Sequence, residues 1–243
     1  MKRMLAVLAL YALVPVAARA DDTSDAAPYG APIQDEAVFY HGLLDQFEGR
    51  FGRSNSFRWD GEAWAGTDWN RIVIKSEGET DGGRLEDGQQ QILYARPIGT
   101  YFDLEAGLRA DLDSGPGRTW AAFGIEGLAP LFFHVAATGF VSGRGRLAAK
   151  LEGYYDLLIT QRLVLQPEIE MNFYAKPDPA RRTGTGLSDI DAGLRLRYEI
   201  SRKFAPYIGL AYENDFAGTA ALAHAAGGHP SRLRFLAGIR AWL

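Results

Sequence analysis

Strict alternation of apolar and polar residues is the feature that most constrains how this chain can fold. In residues 232–243 every odd position is apolar, while the even positions include Arg232, Arg234 and Arg240. Because successive side chains of a β-strand point to opposite faces of a sheet, this segment predicts a strand with one apolar and one charged face. The same pattern is clear at 102–112, 147–157, 163–174 and 188–200, and weaker at 43–53, 57–66, 69–79, 85–97, 118–128, 132–142 and 204–215.

Alternation alone also fits a soluble β-sandwich, but two observations favour a barrel in a membrane. The polar faces mix acids and bases, as in Asp103, Glu105 and Arg109, which suits an interior where carboxylates and arginines pair across strands. No amphipathic helix of any length is predicted that would cover the apolar faces, so lipid is the simplest cover. The sequence predicts an all-β fold, a transmembrane antiparallel up-and-down β-barrel of about twelve strands with a charged lumen; ten strands are also acceptable.

The connections and the aromatic residues agree with this prediction. Short turns at 97–99 and 201–203 contrast with long, flexible connections at 176–186 and 217–230, which indicates short turns on one rim and longer loops on the other. Aromatic residues near strand ends predict girdles at the two membrane interfaces: Tyr94, Tyr101, Phe102, Phe132, Phe133, Tyr154, Tyr155, Tyr174, Phe204, Tyr207 and Trp242.

The start of the chain is typical of an exported protein. Lys2 and Arg3 precede a short apolar stretch, and Ala18-Arg19-Ala20 resembles a cleavage site, so residues 1–20 are predicted to be a signal peptide. Residues 21–40 are predicted to form a flexible periplasmic tail, and 41–243 the outer-membrane barrel. Cleavage would leave 23 basic against 30 acidic residues, a balance that argues against nucleic acid as a partner. The chain has no cysteine, so thiolate chemistry is excluded.

Several longer motifs resemble the copper resistance protein B family. They are DGEAW at 60–64, RIVIKSEGE at 71–79, SGPGRTWAAFG at 114–124, YDLLITQRL at 155–163 and LRLRYEISRKFAPY at 194–207. The resemblance extends from about residue 40 to 243. It implies an outer-membrane β-barrel of the bacterial cell that works in copper homeostasis and resistance, with copper as its ion and a periplasmic copper-binding protein as a possible partner.

The chain departs from that family in its N-terminal extension. Many relatives carry a stretch rich in Met and His, which are suitable copper ligands. Residues 21–40 contain neither residue type, and the methionines are Met1, Met4 and Met171 only. The copper-collecting role of the extension therefore cannot be transferred to this chain.

Four histidines are the candidate metal ligands: His41, His134, His224 and His229. His41 precedes the first predicted strand, where a solvated surface residue is the competing interpretation. His134 alternates with Phe133 and Val135 and is predicted to point into the lumen, either as a ligand or as a hydrogen-bonded interior residue. His224 and His229 fall in the long connection predicted to be mobile. Met171 lies on an apolar face and is predicted to contact lipid.

Charged residues on the polar faces are predicted to line the lumen. Pairs such as Asp103 with Glu105 place carboxylates ~7 Å apart on one face, where they would either hold a hard cation or be neutralised by arginines. A lumen filled by such ion pairs would be narrow. The predicted lining residues are Asp103, Glu105, Arg109, Glu152, Glu168, Glu170, Asp189, Asp191, Arg195, Arg197, Arg234 and Arg240.

No catalytic motif is found, so a function other than catalysis is predicted. The first interpretation is a monomeric outer-membrane barrel in copper homeostasis that handles copper or passes it across the membrane. The alternatives are a generic narrow pore or structural barrel without a copper role, and a secreted soluble sandwich.

Overall fold

A computed structural model describes residues 37–112 and 117–243, and strands dominate both ranges. The predicted signal peptide and almost all of the predicted tail lie outside the described residues. The strands are β1 (Phe39–Phe51), β2 (Ser56–Gly66), β3 (Arg71–Asp81), β4 (Arg84–Pro97), β5 (Phe102–Asp111), β6 (Arg118–Ala129), β7 (Phe133–Ser142), β8 (Leu147–Tyr154), β9 (Leu157–Leu158), β10 (Leu163–Tyr174), β11 (Gly186–Tyr198), β12 (Phe204–Asp215) and β13 (Ser231–Trp242). One α-helix, α1 (Ala217–Ala225), lies between β12 and β13.

The strands form one antiparallel sheet that closes on itself. Consecutive strands pair with each other, except that β8 pairs with β10 and not with β9, and β1 pairs with β13, for example Gly49 with Ala237. The two-residue strand β9 pairs with β10 beyond the end of β8, so β8 and β9 share one position in the ring. The ring thus has twelve positions, and the predicted all-β, up-and-down barrel of about twelve strands is confirmed. Closure pairs each of the twelve long described strands on both sides, and only the short β9 is paired on one side.

Apolar and polar side chains are distributed between the two faces of the sheet in the opposite way to a soluble protein. Large apolar side chains point outwards and are exposed, such as Leu108, Ile208 and Phe235. Polar and charged side chains point inwards and are buried, such as Glu48, Arg109 and Arg195. An apolar belt around a polar interior is the arrangement of a β-barrel that sits in lipid.

In the described part of the chain, no helix has the length and apolar character needed to cross a membrane.

The two rims differ in the length of their connections, as predicted. The rim that carries Phe39 and Trp242, called here the terminal rim, has the short turns at 67–70, 98–101, 130–132, 159–162 and 199–203. The opposite rim, called the distal rim, has the two long connections at 175–185 and 216–230. In bacterial barrels short turns face the periplasm, which assigns the terminal rim to that side.

The second long connection, predicted to be a flexible stretch, contains a helix. Residues 217–225 form α1, whose sequence AGTAALAHA is rich in alanine, the strongest helix former. The Oγ1 atom of Thr219 accepts a hydrogen bond from the Gly184 amide at 2.7 Å and lies 2.9 Å from the Ser188 hydroxyl. The helix lacks a charged face, so no amphipathic pattern marked it in the sequence.

The aromatic girdle was also predicted too broadly. Tyr94, Tyr101, Phe132, Phe133 and Phe204 are exposed near the terminal rim, as expected for an interfacial belt. Tyr207 instead points into the lumen, where its hydroxyl donates to Glu48. Tyr154 lies inside as well and stacks on His134, and Tyr174 shares the inward face of β10 with Asn172. Position near a strand end did not distinguish these tyrosines, because the direction of a side chain depends on strand register.

Candidate functional site

The lumen is crossed at mid-height by a buried network of ion pairs centred on Glu48. This carboxylate, on β1, is 0% exposed and accepts hydrogen bonds from Arg50 Nε at 2.9 Å and from Arg195 Nε and Nη2, each at 3.0 Å. The Tyr207 hydroxyl donates a further bond at 3.0 Å. Four donors on one carboxylate, from β1, β11 and β12, fix the positions of both guanidinium groups.

Arginines extend this network from one side of the lumen to the other. Arg50 Nη1 lies 2.7 Å from Asp191 and 2.9 Å from Glu213, on β11 and β12. Arg58, on β2, lies 2.8 Å from Glu170 on β10, although β2 and β10 are five positions apart in the ring. Since these groups are largely buried, the interior at this level is filled by protein and is narrow.

One lysine lies among three carboxylates in the same part of the lumen. The Lys150 ammonium is 2.6 Å from Glu77, 2.9 Å from Glu152 and 3.6 Å from Glu170. One oxygen of each of the three glutamates lies within 4.8 Å of the others, a spacing at which they can hold a metal ion. We call Glu77, Glu152 and Glu170 the carboxylate triad.

A cavity of about 510 Å³ lies at the terminal rim, inside the barrel. Near it, Lys75 lies 2.9 Å from Glu105 and 3.7 Å from Glu62 and also pairs with Glu126, while Arg71 lies 2.7 Å from Asp103. Acidic side chains outnumber basic ones in its lining, which includes Glu62, Asp68, Asp103, Glu105 and Glu126 together with Arg71 and His134. A cavity lined in this way favours cations.

The structure does not bring the four histidines together. His134, stacked on Tyr154 with ring centroids 4.3 Å apart, lines the cavity at the terminal rim. His41 pairs in register with Trp64, another cavity residue, so it lies on the same side of the barrel end. His224 and His229 are exposed at the distal rim. The prediction that both lie in a mobile loop was wrong for His224, which is in α1.

The twelve charged residues predicted to line the lumen lie on inward faces of their strands, and their contacts join neighbouring strands as well as strands farther apart in the ring. Arg195 contacts Glu168 at 2.6 Å, Arg234 contacts Glu79 at 2.6 Å and Arg240 contacts Asp45 at 2.5 Å. The other contacts are Asp103 with Arg71, Glu105 with Lys75, Arg109 with Asp111, Glu152 with Lys150, Glu170 with Arg58, Asp189 with Asn172, Asp191 with Arg50, and Arg197 with Asp156. Met171, by contrast, pairs with Ile190 and Leu151 on the outward face.

Sequence reasoning missed part of this network. Lys75, Glu77 and Glu79 alternate along β3 with residues of the other face, so the signal was present in a segment treated as weak. Glu48 and Arg50 were hidden by a β-bulge between Leu44 and Gln46, which shifts the inward positions of β1 from odd to even numbers. A regular alternation search fails at such a shift.

The connection at 175–185 forms a strap across part of the distal rim. Asp178 is buried and pairs with Arg118 of β6 and, at 2.9 Å, with Arg146 of the β7–β8 turn. Arg181 of the strap lies 3.7 Å from Asp111 of β5. The strap connects β10 to β11, and these ion pairs fix it to β5, β6 and the β7–β8 turn.

We expect Asp178→Ala to release the strap without unfolding the barrel. Loss of a buried carboxylate between two partly exposed arginines costs about 2 kcal/mol of local stability, which corresponds to roughly 30-fold more of the open form. Trypsin cleavage after Arg181 or Arg182 reports that population when opening and closing are fast. The exposed Glu86→Ala at the same rim serves as the control, and equal cleavage rates in the two variants would contradict the strap's dependence on Asp178.

Comparison with known proteins identifies relatives along almost the whole described chain. The family model for the copper resistance protein B precursor (CopB) matches residues 38–243. Copper resistance protein B of Escherichia coli is 45% identical over 214 residues, which are 88% of this chain and 72% of that protein. A copper resistance protein B homolog of Pseudomonas syringae pv. tomato is 39% identical over 226 residues, which are 91% of this chain and 77% of the relative.

Solved structures with a similar fold are outer-membrane porins. The NanC porin has a TM-score of 0.54 at 13% identity, covering 84% of this chain and 99% of the porin. The KdgM porin has a TM-score of 0.50 at 12% identity, covering 82% and 98%. At this identity the likeness shows the fold alone. The outward apolar belt and the family together place the protein in the bacterial outer membrane, since the family model and the sequence relatives show that the chain belongs to the copper resistance protein B family.

Proposed function

We propose that this protein contributes to copper resistance by binding copper ions at the terminal-rim cavity and controlling their passage along the filled lumen. The observation that carries this proposal is the acidic cavity, which places five carboxylates and one imidazole inside the barrel at its terminal rim. Family membership supplies the metal, since the relatives are copper resistance proteins. The role is one of binding and passage, without a catalytic step.

The chemistry of the cavity suits a hydrated Cu(II) ion. Imidazole is a good ligand for this ion, and carboxylates attract it and accept hydrogen bonds from its waters. A water molecule occupies ~30 Å³ in the liquid, so six of them need roughly 180 Å³. A cavity of about 510 Å³ accommodates the ion with its hydration shell, with His134 available as a direct ligand.

The ion pairs next to the cavity make passage a controlled step. An ion that moves from the cavity towards the distal rim meets Lys75 and then the network around Glu48 and Lys150. These groups are buried or half-buried and are hydrogen-bonded across strands, so they must rearrange for an ion to pass. At the terminal rim, a periplasmic copper-binding protein is the partner that would deliver or receive the ion, and a single closed barrel suffices for the role.

A bacterial strain that lacks the gene provides the test. We expect its growth in graded copper to change relative to the parent, and the wild-type chain to restore parental growth. A variant carrying Glu62→Gln, Glu126→Gln and His134→Gln is expected to assemble but to fail in restoration, because the cavity loses two charges and its imidazole. The exposed Glu86→Gln at the distal rim is the matched control.

The second candidate function is a narrow pore or structural barrel in which copper has no part. The filled interior favours it over a wide pore, since the ion pairs also stabilise the barrel by themselves. It predicts identical copper tolerance with and without the gene. If copper tolerance depends on the gene but not on the three cavity residues, the cavity is not the copper-binding site, although the protein still has a role in copper resistance.

A further inference from the structure

Two lysines point into the described lumen, and each lies among three glutamates. Lys75 contacts Glu62, Glu105 and Glu126 next to the terminal-rim cavity, and Lys150 contacts the carboxylate triad deeper inside. A single ammonium cannot neutralise three carboxylates. The repetition of this arrangement at two levels of one lumen indicates places built to hold positive charge.

The site around Lys150 spans the barrel. Glu77 lies on β3, Glu152 on β8 and Glu170 on β10, and β3 and β8 are five positions apart in the twelve-position ring. Lys150 is almost fully buried there, so its ammonium occupies the space between the carboxylates and excludes other cations. The triad therefore lies across the interior, between strands on opposite sides of the ring.

An orphaned oxygen shows that Lys150 does not satisfy this site. Glu77 is 7% exposed; its Oε2 accepts a hydrogen bond from Lys150, while its buried Oε1 has no hydrogen-bond partner among the described residues. Asp60 pairs in register with Glu77 and adds a further carboxylate on the neighbouring strand. Arg58 balances Glu170, which leaves negative charge in excess of the lysine. A buried acceptor without a partner, in a region of excess negative charge, points to a second cationic ligand.

We propose that Glu77, Glu152 and Glu170 form a divalent-cation site in the middle of the lumen, which Lys150 occupies as a tethered competitor. A divalent ion brings twice the charge of the ammonium and binds carboxylate oxygens directly, so it can replace the lysine when the lysine side chain moves aside. Oxygen ligands accept several divalent ions, and among first-row metals Cu(II) binds most tightly to a given set of ligands. As a step in copper passage the site rests on the proposed function; as a cation site it stands on the triad itself.

The test removes the competitor and measures ion binding. Lys150→Leu takes away the ammonium without adding a ligand atom, and Mn²⁺ is the probe because its free form is read directly by electron paramagnetic resonance. We expect the detergent-purified Lys150→Leu barrel to bind one Mn²⁺ more than the wild type. The double variant Glu77→Gln with Lys150→Leu should lose that ion, and the exposed Lys176→Leu on the strap should bind as the wild type does.

A folding readout keeps the test decisive if three unpaired carboxylates prevent folding. The Lys150→Leu variant is then refolded either with Mn²⁺ or with K⁺, and the folded fraction is measured by heat-modifiable gel mobility. Folding in Mn²⁺ but not in K⁺ supports the site, because a ligand stabilises the state that binds it. Lys150→Gln, which keeps a hydrogen-bond donor for the carboxylates, is measured in parallel.

The proposal is overturned if neither Lys150 variant gains an ion, or if the gain survives Glu77→Gln. These outcomes are separate from those of the growth test. Unchanged copper tolerance in the strain that lacks the gene would remove the copper role and leave a measured Mn²⁺ site intact. If no Mn²⁺ binds, the proposed cation site is rejected, but the proposed role in copper resistance still stands.

Discussion

Replacing Glu48 by alanine is expected to lower the free energy of unfolding by about 3–5 kcal/mol, the range for removing one partner of a buried ion pair. The Glu48 carboxylate is fully buried and accepts bonds from Arg50, Arg195 and Tyr207. Its loss leaves two guanidinium groups short of a partner in a space that water does not reach. Urea unfolding of the barrel in lipid vesicles, followed by tryptophan fluorescence, measures the change.

The matched variant Glu48→Gln separates charge from shape. Glutamine keeps an oxygen that accepts from Arg195 or Tyr207 but removes the negative charge, so an intermediate loss of stability is expected. Glu86→Ala, at an exposed position of the distal rim, should stay within ~0.5 kcal/mol of the wild type. If Glu48→Ala is as stable as Glu86→Ala, the network around Glu48 does not hold the lumen closed.

The network also explains how one set of contacts serves both stability and control. Arg50 and Arg195 join β1 to β11 and β12 through Glu48, Asp191 and Glu213, so these strands are held together across the space that an ion would use. Opening a path therefore costs part of the stability of the barrel. Such coupling favours a slow, controlled passage over free diffusion.

The strands could be predicted because their signal is local. In β5, residues 102–111 alternate without interruption, and the predicted and observed strands agree to within a residue. β1 was harder, since its bulge near Asp45 changes which residues face inwards. The helix α1 was missed because its alanine-rich sequence carries no periodic pattern, and because its position depends on the contact of Thr219 with a different loop.

Ion-pair partners inside the lumen could not be predicted in the same way. Alternation identifies Lys150 and Glu77 as residues of inward faces, but their contact joins positions 73 residues apart in the sequence. Which side chains meet across a barrel depends on strand tilt and stagger, and these properties belong to the closed sheet. The acidic cavity was missed for this reason, because Glu62, Glu105 and Glu126 come from three different strands.

Introducing an arginine on the outward face in the middle of the barrel is expected to destabilise the protein by ~2–4 kcal/mol, since a charged side chain is costly at the centre of a bilayer. Leu108 is suitable because it lies within β5, is 60% exposed and pairs with the apolar residues Ile92 and Ala121. Leu108→Arg would bring a guanidinium into contact with lipid chains. Urea unfolding in vesicles, compared with the wild type, gives the loss.

Depth provides the control for this prediction. Leu112 is 56% exposed, about as much as Leu108, but it follows the end of β5 at the distal rim. Leu112→Arg is expected to cost only ~0–1 kcal/mol, because an arginine near the interface reaches the headgroups. Both variants lose an exposed leucine, so the difference between their losses of stability reports the presence of lipid at the centre of the outward face. Equal losses at the two positions would mean that something other than lipid covers the apolar belt, and the barrel would then be oriented or enclosed differently from the arrangement proposed for copper passage.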